Sequence, residues 1–355
     1  MEINRYSDIN VLVLRENWLG CTGLSAFNAC LRLGCQADSI SDTDYLPSKY
    51  RSFFSRGVAK LIRPLGVREF NEALLKLTLE LRPSLFLAVK GQFIYADTLR
   101  AMREAGTSLY CFFPDLSFTA FGPHLPEAAK EYDWIFTTKS FGPQDLLKKL
   151  GVANSSYLPH AYDPQVHRPR RLNGAEENTY TCDVGFVGKF SPRKAGNLED
   201  LIRLRPNLRL KVWGPHWEKL AINSPLRKHI IFRTATGIEY AKAISGARIN
   251  LGLLQEAIPG ASSGDQITSR TFHIPACGGL LLHQRTLDLL EIFRENESCV
   301  CFSDVEELAK KIDDLLADEI SCNRIAERGR QVVEQGHSWD HRARYILDYF
   351  LEHRS

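Results

Sequence analysis

Two runs in the second half of the chain place cations where a helix is about to begin. In DVGFVGKFSPRK (183–194) an apolar run ends at Gly188 and is followed by Lys189, Arg193 and Lys194 ahead of a helical stretch. Glycine lets a backbone approach a ligand closely, and a helix N-terminus flanked by cations holds anionic phosphate. The run is neither the Gly-x-Gly-x-x-Gly nor the Walker pattern, and a solvated charge cluster accounts for the same letters. In GDQITSRTFHIPACGGLLLH (264–283), Thr268, Ser269 or Thr271 would cap a helix entering at 271, with Arg270 in its first turn. An arginine there opposes the positive end of the helix dipole, a mismatch that a bound anion relieves and that reaching into solvent also avoids. His273 lies in the apolar part of the same run, where it is either a ligand-facing side chain or a core histidine satisfied by a backbone carbonyl.

The first half offers polar residues directly after apolar runs: Asn17 to Gly20, Lys90 and Gly91, Pro114 and Asp115, Lys139, and His160. In open parallel sheets ligands bind beyond the carboxyl ends of the strands, so these positions are candidates for one cleft, although each alone reads equally as an ordinary loop residue. Other arrangements carry less. His337 and His341 have the spacing of a metal pair without a clear third ligand nearby. Cys299 and Cys301 alternate as strand neighbours do, Cys277 has no placed base, and no Gly-x-Ser-x-Gly elbow occurs.

Elements that would position these groups follow from periodicity. INVLVLR (9–15), SLFLAV (84–89), SLYCFF (108–113), YDWIFTT (132–138) and SSYLP (155–159) read as strands, with helical stretches at 24–34, 68–82, 98–106 and 144–151 between them. A second series runs from DVGFVG through LRLKVWG, HIIFR, RINLGLL, LLLH and SCVCF, with helices at 198–207, 237–247 and 305–318. Strands alternating with helices predict parallel sheets covered on both faces. The proline-rich, basic and polar stretch 164–181 reads as a linker. The expected organisation is therefore an N-terminal Rossmann-like domain over 1–163, a linker over 164–181, and a C-terminal Rossmann-like domain over 182–337. These two doubly wound α/β domains would leave an interdomain cleft.

Bulk properties bound the function. At 355 residues, the chain has room for two cores. Lys and Arg total 45 against 42 Asp and Glu, a net charge of +3 that gives no reason to expect a nucleic-acid or membrane-surface partner. Nine cysteines, an odd number without metal or disulfide spacing, together with an N-terminus lacking an apolar signal core, point to a reducing cytoplasm. No apolar run approaches the ~20 residues of a membrane span.

Taken together, these runs resemble the GT-B glycosyltransferases, and within them the spore-maturation-protein CgeB-like family with its group 1 type C-terminal domain. The resemblance extends from about residue 70 to the end. It is carried by LRPSLFLAVKG (81–91), YDWIFTTKS through YLPHAYDPQVHRP (132–169), DVGFVGKFSPRK with KVWGP (183–215), and DQITSRTFHIPACGGLLL. The resemblance implies a metal-independent transferase without a cofactor, moving a sugar from a nucleotide-sugar to a polysaccharide, protein or small-molecule acceptor. It also implies that Gly188, Lys189 and Arg193 or Lys194 face the donor diphosphate, with Ser269 and Arg270 closing on it. A final helix, 338–355, would return to the first domain. In the wider group two glutamates eight positions apart serve the donor; here Asp265 and His273 keep that separation and change both residues. Glutamate at 273 is accordingly expected to retain or improve donor affinity. Asp115 is the expected acceptor-activating base, with Lys90 and His160 as its neighbours. A nucleotide-sugar epimerase and a non-catalytic nucleotide-sugar-binding module fit the same architecture.

Overall fold

The computed structural model describes residues 5–46 and 53–354. It divides into two compact units, one comprising 1–159, 257–263 and 339–355 and the other 160–256 and 264–338. Each is built on a six-stranded, all-parallel sheet.

In the N-terminal unit the strands are β1 (Asn10–Leu14), β2 (Gln36–Ile40), β3 (Leu85–Val89), β4 (Ser108–Phe113), β5 (Trp134–Thr137) and β6 (Ser155–Tyr157), in the order β2-β1-β3-β4-β5-β6. Central strands are apolar along their whole length because helices cover both faces, so Leu12, Phe86, Cys111 and Ile135 are wholly buried. β2, QADSI, is missed by the sequence reading because it is an edge strand with three of its five residues polar, which pays little hydrophobic signal into the pattern. The helix Trp339–His353 belongs to this unit: Tyr349 and Phe350 meet Tyr110 edge-on, Asp340 accepts from Arg32 Nε at 2.8 Å, and Arg342 Nε donates to the Pro159 carbonyl at 2.8 Å. The segment 257–263 is tied to it as well, with Lys149 Nζ on the Gly260 carbonyl and the Ser262 amide on Asp145, both at 2.8 Å.

The C-terminal unit contains β7 (Cys182–Val187), β8 (Leu210–Trp213), β9 (Ile230–Ile231), β10 (Ala247–Gly252), β11 (Leu281–Gln284) and β12 (Val300–Phe302), ordered β12-β11-β10-β7-β8-β9. Its core gathers Phe186, Val212, Ile249, Leu282 and Phe302 from five of these strands. Residues 164–181 are not featureless: Gly174–Tyr180 forms a helix started by a reciprocal Asn173–Glu176 capping box, a local signal that apolar periodicity does not register. A second helix absent from the sequence reading, Glu319–Gly336, buries only Ile325, Gly329 and Val333, a stripe one residue wide. The FHIPA of 272–276 is helical, within Ser269–Ala276, and Cys277 is its C-cap. Among the described residues no helix is long and apolar enough to cross a membrane, and all nine cysteines are free.

Candidate functional site

Both sheets have a place where successive strands are laid down in opposite directions, and in open α/β sheets such a switch point opens a crevice at the carboxyl ends. It falls between β1 and β3 in the N-terminal unit and between β7 and β10 in the C-terminal unit.

At the second switch point, β7 runs into Gly188, whose carbonyl accepts from Trp217 Nε1 at 2.9 Å and whose amide donates to Trp213. Gly214, at φ +141°, passes so close that a Cβ there would sit 2.1 Å from the Gly188 oxygen. The loop then reaches Ser191, which caps the helix Pro192–Leu204 by accepting from the Lys194 amide. Lys194 is therefore in the first turn, and its side chain folds inward rather than out, leaving it only 4% exposed. Its ammonium donates to Gln255 Oε1 at 3.3 Å. Burial, reinforced by the nearby Arg270, lowers its pKa to about 8.

Arg270 arrives from the other side of the crevice, in the first turn of the helix Ser269–Ala276. Thr268 is the N-cap, and Thr271 answers its amide with Oγ1 at 3.0 Å. Its guanidinium donates to the Leu253 carbonyl at 2.7 Å, beyond the end of β10, and lies 5.4 Å from the Phe186 ring centroid. The Arg270 Nε is buried without a hydrogen-bond partner among the described residues, and burial lowers the Arg270 pKa despite the nearby charge of Asp265. Neither helix has an acidic residue in its first turn. Two desolvated cations and two positive helix ends thus converge, an arrangement that costs stability until an anion shares it.

His273 sits one turn further along. Its Nε2 is 3.1 Å from the Ala161 carbonyl, which only accepts, so that nitrogen carries the proton. One ring face is covered by His167, stacked at 3.8 Å, and Tyr240 meets the edge at 5.6 Å. Burial lowers the His273 pKa to about 4 and pushes His167 well down, His273 adding to the latter, so both are neutral at pH 7. The Tyr240 hydroxyl is buried without a hydrogen-bond partner among the described residues. Below the helix, His283 Nδ1 donates to the Gln284 carbonyl and its Nε2 accepts from Thr271 Oγ1 at 3.0 Å, anchoring the first turn to β11.

The sequence-derived donor residues separate accordingly. Gly188, Lys194 and Arg270 come together at the crevice, whereas Lys189 and Arg193 are exposed. Ser269 opens the helix, and Asp265 is half-buried with its amide on the Gln255 carbonyl at 2.8 Å. Gln255, His283, His167 and Tyr240 were not singled out; each acts through contacts between elements distant in sequence, which periodicity does not report. His337 and His341 do not share a helix, since His337 closes Glu319–Gly336 and His341 lies in Trp339–His353.

In the N-terminal unit, Lys90, in the left-handed region at φ +70°, places its ammonium 2.7 Å from Asp115 Oδ2 and 4.2 Å from the Phe121 ring centroid. They border a cavity of about 150 Å³ at the first switch point, together with Arg15, Glu16, Asp42 and Gln92. His160 is buried and falls in the C-terminal unit, at its first residue.

Residues 193–348 match a family described as glycosyl transferase-like. No curated protein matches the chain. Among solved structures, sucrose-phosphate synthase from Thermosynechococcus elongatus superposes with a TM-score of 0.68 at 13% identity, covering 97% of this chain and 98% of that one. HepE from Anabaena, crystallised with UDP and glucose, gives 0.64 at 11% identity over 97% and 100%. A putative UDP-N-acetylglucosamine 2-epimerase from Listeria monocytogenes gives 0.54 at 11% identity over 96% and 95%. At these identities the likeness is one of fold, and the fold is GT-B: two Rossmann-like α/β units.

Proposed function

We propose that this chain is a GT-B glycosyltransferase, transferring a sugar from a nucleotide-sugar bound by its C-terminal unit to an acceptor bound by its N-terminal unit. The observation that carries this reading is the pairing of buried Lys194 and half-buried Arg270 at two helix N-termini, with the buried Arg270 Nε unpartnered among the described residues. Breaking the bond between the anomeric carbon and the diphosphate leaves negative charge on the phosphate oxygens. Preorganised cations and helix ends stabilise that charge as it develops. Metal independence is part of the proposal: the two cations and two helix ends perform the neutralisation that a divalent ion performs elsewhere. The glycosyl transferase-like match over 193–348 spans both cations, and HepE, of the same fold, was crystallised with UDP and glucose. The stretch TSRTFHIPACG supports placement in the CgeB-like group.

Calorimetry with UDP, GDP, ADP and dTDP, followed by incubation of the matching nucleotide-sugars with polysaccharide, protein and small-molecule acceptors, tests the reading. Binding of one diphosphate and acceptor-dependent nucleotide release supports it. The epimerase of the same fold motivates a second reading. Isomerised donor in the absence of any acceptor would establish that reading instead, and binding without turnover would leave a non-catalytic module.

A further inference from the structure

We propose that Asp42, rather than Asp115, is the carboxylate that takes the proton from the acceptor hydroxyl. The assignment rests on the transferase reading above and adds the identity of its base.

Position comes first. Asp42 opens the 3-10 turn immediately after β2 and lines the cavity at the β1/β3 switch point, the place in this sheet where a ligand is received. Asp115 lines it too, but its Oδ2 is already engaged by the Lys90 ammonium at 2.7 Å, so an acceptor hydroxyl would have to compete with that ion pair for the oxygen. Asp42 has no ion-pair partner among the described residues. Arg15, the other cation at the cavity, is turned to Ser39 and Asn17, at 2.8 and 2.5 Å. Asn17 in turn engages Asp44 at 2.8 Å. The charged groups facing Asp42 are therefore Glu16, which repels its ionised form, and Lys90, which attracts it. Burial and Glu16 outweigh Lys90 and raise its pKa to about 6, leaving it ionised at pH 7.5 yet far more basic than a surface aspartate.

In the transfer step the acceptor O–H proton passes to the Asp42 carboxylate as the acceptor oxygen bonds the anomeric carbon. The bond from that carbon to the diphosphate breaks, its electron pair leaving with the nucleoside diphosphate. Water then removes the proton from Asp42.

The experiment uses the full chain with UDP-, GDP-, ADP- and dTDP-glucose as donors and water or maltose as acceptor, reading nucleotide release from pH 5 to 9 alongside nucleotide affinity. For Asp42→Asn the expected result is release slowed about 100-fold at pH 7.5, nucleotide Kd within twofold of wild type, and loss of the acid limb near pH 6. Asp115→Asn, which frees Lys90, lowers the rate but keeps that limb. An Asp42→Asn protein that binds nucleotide and retains both rate and limb overturns the assignment while leaving the transferase reading intact. Wild type that binds none of the nucleotides and releases none overturns the transferase reading, and the assignment with it.

Discussion

The imidazole of His273 lies flat on that of His167, with 3.8 Å between ring centroids and 16° between planes. With Nε2–H donated to the Ala161 carbonyl, only one nitrogen of His273 remains to meet a ligand, and it can only accept. This alters what glutamate at 273 would do. A carboxylate would face the Ala161 carbonyl oxygen with no donor between them, and losing the bond while setting two acceptors together costs about 1–3 kcal/mol. Glutamine would keep an N–H for Ala161. His273→Glu is therefore expected to lower the thermal midpoint well below that of His273→Gln at pH 7, and a midpoint equal to wild type would show that the imidazole bond contributes nothing.

The same stack sets a pH dependence. Both histidines have folded-state pKa values below the ordinary 6.5, His273 at about 4 and His167 lower than its usual value for the same reason, burial. A histidine depressed on folding contributes stability that is present above the unfolded pKa and lost as pH falls toward the folded one. Stability should thus decline from pH 6.5 toward 4, with buried His283, also at about 4, adding to the slope. Denaturant titrations at pH 7, 6 and 5 should show a shallower decline for His273→Gln than for wild type. An unchanged slope would place the proton uptake elsewhere.

Lys194 and Arg270 predict the behaviour of the donor site. With its pKa at about 8, Lys194 is charged below that pH and neutral above it. Affinity for the bound nucleoside diphosphate should weaken as pH rises from 7.5 to 9, approaching a tenfold loss per unit well above the pKa, and Lys194→Gln should be weaker throughout and nearly flat. Arg270→Ala removes a charge-assisted contact worth about 1.5–3 kcal/mol, so a ten- to hundredfold loss is expected by calorimetry. An Arg270→Ala Kd equal to wild type would remove the donor assignment at this helix.

How far the sequence carried depended on where each signal resides. The parallel α/β architecture was legible because central strands such as LFLAV are apolar throughout, and the helix at Ser269 because its cap and first turn are contiguous letters. Which of the clustered cations turns inward was not. Lys189, Arg193 and Lys194 are equivalent as letters; only the Ser191 cap fixes which residue occupies the inner face of the first turn. The partners of His273 lie 112 residues away at Ala161 and on His167, so the histidine itself was visible and its tautomer was not. Asp42 was missed for a related reason: its strand, an edge with few apolar residues, gives no period from which to recognise a strand end.

Asp42 also makes a prediction that needs no acceptor. Its pKa rises from an ordinary 3.8 to about 6 on folding. For an acid so raised, the stability contribution is present below the unfolded pKa and is lost as pH climbs through the folded value. Above pH 6 the native chain therefore carries an ionised, partly desolvated carboxylate beside Glu16, at a cost of roughly 1–3 kcal/mol. Asparagine has nearly the same shape and no charge, so Asp42→Asn should raise the thermal midpoint at pH 7.5 and leave it close to wild type at pH 4. A stabilising substitution that slows turnover about 100-fold is the signature of a residue placed for chemistry rather than for folding. Equal midpoints at pH 7.5 would mean that Glu16 and burial do not perturb Asp42, and the basicity on which its catalytic assignment depends would be lost.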